Sequence, residues 1–425
     1  MISREPADMR GVVDQPGQDE ADVASLLETI SLYLHIPFCH AKCHYCDFNS
    51  YAGMLGLRER YVDALLREIA YAGEQSTHAN GERRRCRTIF FGGGTPSLLL
   101  PEQVDAILTA TRSAFAVDAD AEITLEANPG TLEYGRLDEL RAVGVNRLSM
   151  GAQSFDPDLL RWMGRIHSPE EIVQAFAAGR AAGFTNINLD FIYALPGQSI
   201  ATWEDTLERA LALRPDHLSL YSLIVEEGTP LFRWVAQGKV TPADEDIAAD
   251  MYELARDRLA RAGYHHYEVS NWALPGHECR HNLTYWRNLP YIGLGAGAHG
   301  WSGRERYADT RPIRDYIARV TASAQTRDEL LPALAVVDRE EISRALEMAE
   351  TAILGLRLVD GLDLASFGRR FGVSFDTVFA QRLAPLGEYG LVARAGDRIR
   401  LTERGLLLGN EVFERLLPEP ATDKP

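Results

Sequence analysis

Three of the five cysteines in the chain, Cys39, Cys43 and Cys46, fall within eight residues in the pattern C-x3-C-x2-C. Three thiolates on one tight loop can hold three corners of a cubic four-iron cluster, leaving the fourth iron open to an outside ligand. Zinc, completed by His40 or His44 as a Cys3His set, is the rival reading of the same spacing. An odd cysteine count in a chain of this length makes a poor disulfide framework and fits a reducing compartment. Cys86 precedes a strand and reads as structural.

Polar and glycine-rich residues follow the cluster at intervals. Gly92, Gly93 and Gly94 end a short apolar strand, where the lack of side chains allows a ligand's ammonium to approach backbone carbonyls; a plain tight turn is the alternative. Thr95 follows them. Glu126 offers a carboxylate to a cationic ligand or a ribose diol. Gln153 and Asp190 can meet hydroxyls or an adenine, and Arg165 can pair bidentately with a carboxylate.

The elements that must position these groups alternate strand and helix. Strands are predicted at 31–36, 87–91, 122–127, 146–150, 185–193 and 217–223, and helices at 57–71, 101–115, 137–143, 170–182 and 202–212. That order gives an α/β fold with a parallel sheet. A partial (β/α)6 barrel is preferred to a doubly wound sheet, because the polar residues recur at successive strand ends, which in a barrel surround one site. A long helix over 242–262, capped by Thr241 with Pro242 first, and a strand over 267–271 come next. Helices at 340–354, 364–370, 375–386 and 402–415, with a hairpin of 391–395 and 398–401, form a small winged-helix-like α+β domain. The chain then divides into a disordered leader (1–29), a core (30–300), a connector where the pattern breaks down (301–335), the C-terminal domain (336–417) and a tail (418–425).

Composition narrows the function. The 425 residues carry 44 Lys+Arg against 61 Asp+Glu, a formal net charge of -17, which disfavours a surface that coats nucleic acid. At 46% apolar residues the chain can bury a sizeable core. No uninterrupted apolar run reaches membrane-spanning length, and the leader lacks a signal-peptide pattern, so a cytoplasmic location is expected.

The motifs also resemble a known family. Tyr33-Leu34-His35-Ile36-Pro37-Phe38-Cys39-x3-Cys43-x-Tyr45-Cys46 is similar to the cluster motif of radical S-adenosylmethionine enzymes, in the oxygen-independent coproporphyrinogen III oxidase-like family. The likeness continues through Phe91-Gly92-Gly93-Gly94-Thr95-Pro96, Glu126-Ala127-Asn128-Pro129, Gly151-Ala152-Gln153-Ser154-Phe155 and Asp190 to Gln198. It implies a [4Fe-4S] cluster on Cys39, Cys43 and Cys46, with Tyr33 packed beside it. Gly93–Thr95, Glu126, Gln153, Arg165 and Asp190 would contact S-adenosylmethionine. An electron donor for the cluster is implied too, and one electron would release a 5′-deoxyadenosyl radical from the cofactor in a dry chamber.

Two features place the chain within that family. The oxidases carry a fourth cysteine two residues past the third, where this chain has Phe48. His281-Asn282-Leu283-Thr284-Tyr285-Trp286 resembles the H-N-x-x-Y-W motif of the haem chaperone branch, which implies His281 as an axial iron ligand beside aromatic rings. Cys279 is the alternative ligand, a merely packed His281 is the bland reading, and His299 is expected at the rim of the same cavity. The resemblance implies a haem chaperone that takes haem as cargo and passes it to haem-accepting proteins, respiratory enzymes among them. Membrane contact is expected only peripherally, through a partner. The competing expectations are coproporphyrinogen oxidation and, disfavoured by charge, RNA modification.

Overall fold

The computed structural model describes residues 26–322 and 332–418. The leader up to residue 25 and the tail from 419 lie outside the described residues.

Alternation inside the strands decides the architecture. In β1 (Ile30–Ile36), Leu32, Leu34 and Ile36 are fully buried in the main apolar core, while Ser31, Tyr33 and His35 point to the other face. The same split recurs in β2 (Arg85–Gly93), β3 (Ala116–Ala127), β4 (Arg147–Gln153), β5 (Ile187–Tyr193) and β6 (His217–Ser222). Their aliphatic residues, such as Ile123 and Leu125 or Leu148 and Met150, join one core under the helices. Register then stacks the polar set: Thr88 lies opposite Glu122, Glu126 opposite Ser149, Gly151 opposite Asp190, and Asp190 opposite Ser219.

These six strands are parallel and adjacent in chain order, β1 to β6, with no reversal. Right-handed crossovers in one direction put every connecting helix on the same face, whereas a doubly wound sheet needs a reversal to cover both. The polar face is therefore left as the inside of a partial (β/α)6 barrel. The sheet extends at both ends through β7 (His265–Glu268), β8 (Asn271–Ala273), β9 (Tyr291–Leu294), β10 (His299–Trp301), β11 (Glu305–Asp309) and β12 (Val336–Glu341), in the order β12-β11-β10-β9-β1-β2-β3-β4-β5-β6-β8-β7.

Several expected boundaries shift. The stretch 301–335, read as a connector, carries β11 and the helix Ile313–Ala322, whose Ile313, Tyr316, Ile317 and Val320 are buried. β12 belongs to the main sheet through its pairing with β11, so the C-terminal unit begins after it. The helix expected from 242 starts at Glu245, because Asp244 rather than Thr241 caps it, accepting from the Asp246 N–H at 2.9 Å. The strand expected over 267–271 is two, β7 and β8, which pair with each other. The helix expected at 402–415 breaks at Leu408 into Glu403–Leu407 and Gly409–Leu416. The C-terminal unit is α+β, with a three-stranded sheet and its own core around Phe367, Phe371, Phe375 and Phe379.

Candidate cluster and cofactor site

β1 delivers the chain to the cysteine loop, and the glycine run at the end of β2 holds that entry in place. The Gly94 N–H donates to the Ile36 carbonyl at 2.9 Å and the Thr95 N–H to the Phe38 carbonyl at 2.7 Å. A Cβ at Gly94 would lie 2.6 Å from that Phe38 carbonyl oxygen, and one at Gly93, whose φ is +109°, would overlap the His35 ring. Glycine is thus required here by the protein's own backbone crossing, not only by a ligand. Gly92 has no room either, since a Cβ there meets the rings of Phe90 and Tyr33 at 2.9 Å. Gly93→Ala should cost about 2 kcal/mol or more through strain and overlap. It should also lower the iron bound per chain on reconstitution; an unchanged urea midpoint would contradict this account.

The three cysteines are free and half-buried. The Thr95 hydroxyl donates to the Cys39 Sγ at 3.7 Å. Arg165 spans the site, its Nη1 donating to the Cys43 Sγ at 3.5 Å and its Nη2 to the Gly151 carbonyl at 2.7 Å. Burial raises the Cys46 thiol pKa, and the Lys42 ammonium pulls it back. Lys42 also closes the loop by donating to the Ser50 Oγ at 2.9 Å.

The donor set fits a four-iron cluster better than a single zinc. A cubic cluster needs only three thiolates, each on its own iron, whereas a closed zinc site on the same loop needs a fourth donor from His40 or His44. His44 is engaged elsewhere, its Nδ1 2.8 Å from the Trp162 carbonyl and its ring edge-on to Trp234, and His40 is exposed.

Inside the barrel, the predicted cofactor residues gather above the cluster loop. The Glu126 carboxylate accepts from the Gly93 N–H at 3.0 Å, and burial, with Asp190 nearby, pushes its pKa up to about 8. Burial also raises Asp190, whose Oδ1 accepts from Asn188 Nδ2 at 2.7 Å. Tyr33 stacks on Phe90 and hydrogen-bonds to His35 Nδ1 at 3.0 Å. Gln153 ends β4 with a φ of +66°, at a break in the pairing with β5. The lumen is acidic at this level and suits a cation.

His281 is placed differently from the expectation. It is 1% exposed, with Nδ1 2.7 Å from the Thr88 Oγ1, Nε2 2.9 Å from the Tyr285 OH, and its ring stacked on Phe90. Neither ring nitrogen is available to an iron in this conformation. Burial, with Arg147 nearby, pushes its pKa down to about 3, so the ring is neutral. Cys279 is fully buried with its thiol directed at Glu122 Oε1, and His299 is exposed on β10. The short helix Arg280–Trp286 lies against the polar face of β1, β2 and β3, through Ser31, Thr88 and Glu122.

Glu122 and Arg147 were not among the expected site residues. The alternation Glu122-Thr124-Glu126 places both acids on one strand face, and that signal was available in the sequence.

Residues 33–210 match the Radical SAM superfamily and residues 342–408 the HemN C-terminal domain. The Heme chaperone HemW of Bacillus subtilis (strain 168) is 37% identical over 390 residues, covering 92% of this chain and 99% of that one. The chain belongs to the radical SAM superfamily, in its HemN/HemW branch. The Heme chaperone HemW of Mycobacterium tuberculosis (strain ATCC 25618 / H37Rv) is 37% identical over 421 residues, 98% of this chain and 100% of its own. Among solved structures, the coproporphyrinogen III oxidase HemN of Escherichia coli, a radical SAM enzyme, is 27% identical with a TM-score of 0.76, covering 94% of this chain and 93% of that one. Radical SAM proteins use S-adenosylmethionine and a four-iron cluster, which accords with the donor set and the acidic lumen. Among the described residues no helix is long and apolar enough to cross a membrane.

Proposed function

We propose that this chain is a haem chaperone. It holds a four-iron cluster on Cys39, Cys43 and Cys46, binds S-adenosylmethionine in the barrel lumen, and carries haem to haem-accepting proteins, respiratory enzymes among them. The observation that carries this reading is the full-length likeness to proteins named heme chaperone. Phe48 supports it: 64% exposed on the cluster loop, it stands where the oxidase pattern has its fourth cysteine.

When bound, the cluster supplies an open iron for the cofactor's amino and carboxylate groups and a single electron. The chain's own residues do the rest. Arg165 and Thr95 hold two sulfurs in place, Glu126 and Asp190 offer negative charge to a sulfonium or ammonium, and Gln153 and Tyr33 complete the set that meets the cofactor. Family likeness alone supports an electron donor and the acceptor class.

The test is a haem titration of anaerobically cluster-reconstituted protein, followed at the Soret band, beside an oxygen-free coproporphyrinogen assay. Saturable binding near one haem per chain without protoporphyrinogen formation is expected. Protoporphyrinogen formation without saturable haem binding would instead assign the oxidase activity, the reading that the HemN likeness favours.

A further inference from the structure

The helix that carries His281 is held from both sides, and one side is the C-terminal unit. The Arg357 guanidinium, at the C-terminal end of the helix Arg344–Leu356, sits 4.5 Å over the Trp286 ring. Asn288 Nδ2 donates to the Thr351 Oγ1 at 3.0 Å, both residues being buried. Arg370, fixed by Glu347 at 2.8 Å, donates to the Arg287 carbonyl at 3.3 Å. The next turn of chain joins the same junction: Val269 N–H donates to the Arg357 carbonyl and Val359 N–H to the Tyr267 carbonyl, each at 3.1 Å. Leu358 packs with Tyr267, Ala273 and Leu283. The phenol of Tyr267 in turn accepts from the Cys279 N–H at the start of the helix.

We propose that the C-terminal unit is a clamp on the helix Arg280–Trp286, and that release of this clamp, with Arg357, Thr351 and Arg370 as its positioning residues, gates the access of haem to His281. The inference rests on the haem reading given above. It accounts for two facts together: a buried motif histidine with both nitrogens occupied, and a C-terminal unit that holds the end of that motif through Trp286, Arg287 and Asn288. Tyr285 lies on the helix and Cys279 caps its start, so the same motion would uncover both.

Cys279 reports the opening independently of haem. It is fully buried at the cap of the helix, and Cys86, fully buried in the main apolar core on β2, reports loss of the whole fold. In cluster-loaded full-length protein, alkylation of each cysteine is followed by peptide mass spectrometry, and haem association by stopped-flow at the Soret band. Arg357→Ala and the milder Thr351→Val are compared with Arg394→Ala, a control at an exposed ion pair with Asp376 in the same unit. The clamp variants should raise the Cys279-to-Cys86 alkylation ratio and the haem association rate, about tenfold for Arg357→Ala, while the control changes neither. Adding His281→Ala to Arg357→Ala should remove the gain in association.

An unchanged alkylation ratio in both clamp variants overturns the proposal, as does a raised ratio with unchanged haem association. A rise in Cys86 alkylation equal to that of Cys279 also overturns it, because the fold rather than the clamp has then been loosened. If no variant and no wild-type protein takes up haem, the haem reading itself fails, and a raised ratio then shows a clamp without a haem gate.

Discussion

Glu122→Ala should lower the stability of the protein by about 3 kcal/mol or more, a large share of what a domain of ordinary stability has. The Glu122 carboxylate is 6% exposed and accepts three donors from the start of the motif helix: the Arg280 N–H and the His281 N–H, each at 3.0 Å, and the Cys279 thiol at 3.5 Å. Its side chain caps the helix Arg280–Trp286 from a strand roughly 160 residues earlier in the chain, satisfying N–H groups that the helix itself leaves open. It also lies in the field of Arg147, a guanidinium buried to 2% exposure with an unpartnered Nε. Removing the carboxylate strands two backbone donors and leaves a buried cation short of its anion. Glu122→Gln keeps an acceptor but not the charge and should lose less, about 1–2 kcal/mol. Urea unfolding of both variants decides the matter. A loss below about 1 kcal/mol for the alanine variant would mean that water or a rearranged Arg147 replaces the carboxylate.

The six barrel strands and the cluster loop were legible in the sequence because each carries its own signal. An aliphatic stripe alternates with a polar one in every strand, and three cysteines share one loop. β12 was hidden for the opposite reason. Val-Val-Asp-Arg-Glu-Glu at 336–341 is an exposed edge strand, held by backbone pairing to β11, so nothing in its side chains announces a sheet. β11 is equally quiet, with Tyr307 and Asp309 its buried positions among five residues. Residue type at 281 shows a histidine fit for iron, but not which way it faces. Its partners Thr88 and Glu122 are set by tertiary packing 193 and 159 residues away. The glycines at 93 and 94 were expected for the approach of a ligand, and the structure adds a reason the sequence hides: the His35 ring and the Ile36 and Phe38 carbonyls crowd them.

The second large effect concerns Glu126, and its sign follows from burial. The folded pKa, pushed up to about 8, lies above the ordinary value of 4.5, so ionising this group costs more in the fold than in the unfolded chain. Its contribution is therefore most favourable at low pH and is lost as pH rises from 4.5 through about 8. A tenfold difference in proton affinity between the folded and unfolded chain is worth about 1.36 kcal/mol, so the loss amounts to a few kcal/mol by about pH 9. Glu126→Gln cannot ionise and keeps a carbonyl to accept the Gly93 N–H, so the cofactor-free variant should match wild type near pH 5 and become the more stable protein by about pH 9. The order inverts once a cation is bound. A sulfonium or ammonium beside Glu126 lowers its pKa, so binding S-adenosylmethionine at about pH 7 should expel close to one proton, and affinity should rise with pH up to about 8. Calorimetry in two buffers of different ionisation heat measures that proton, and Glu126→Gln should bind about tenfold or more weakly and release none. Proton release that persists in Glu126→Gln would move the role to Asp190, the other carboxyl raised by burial in the same lumen.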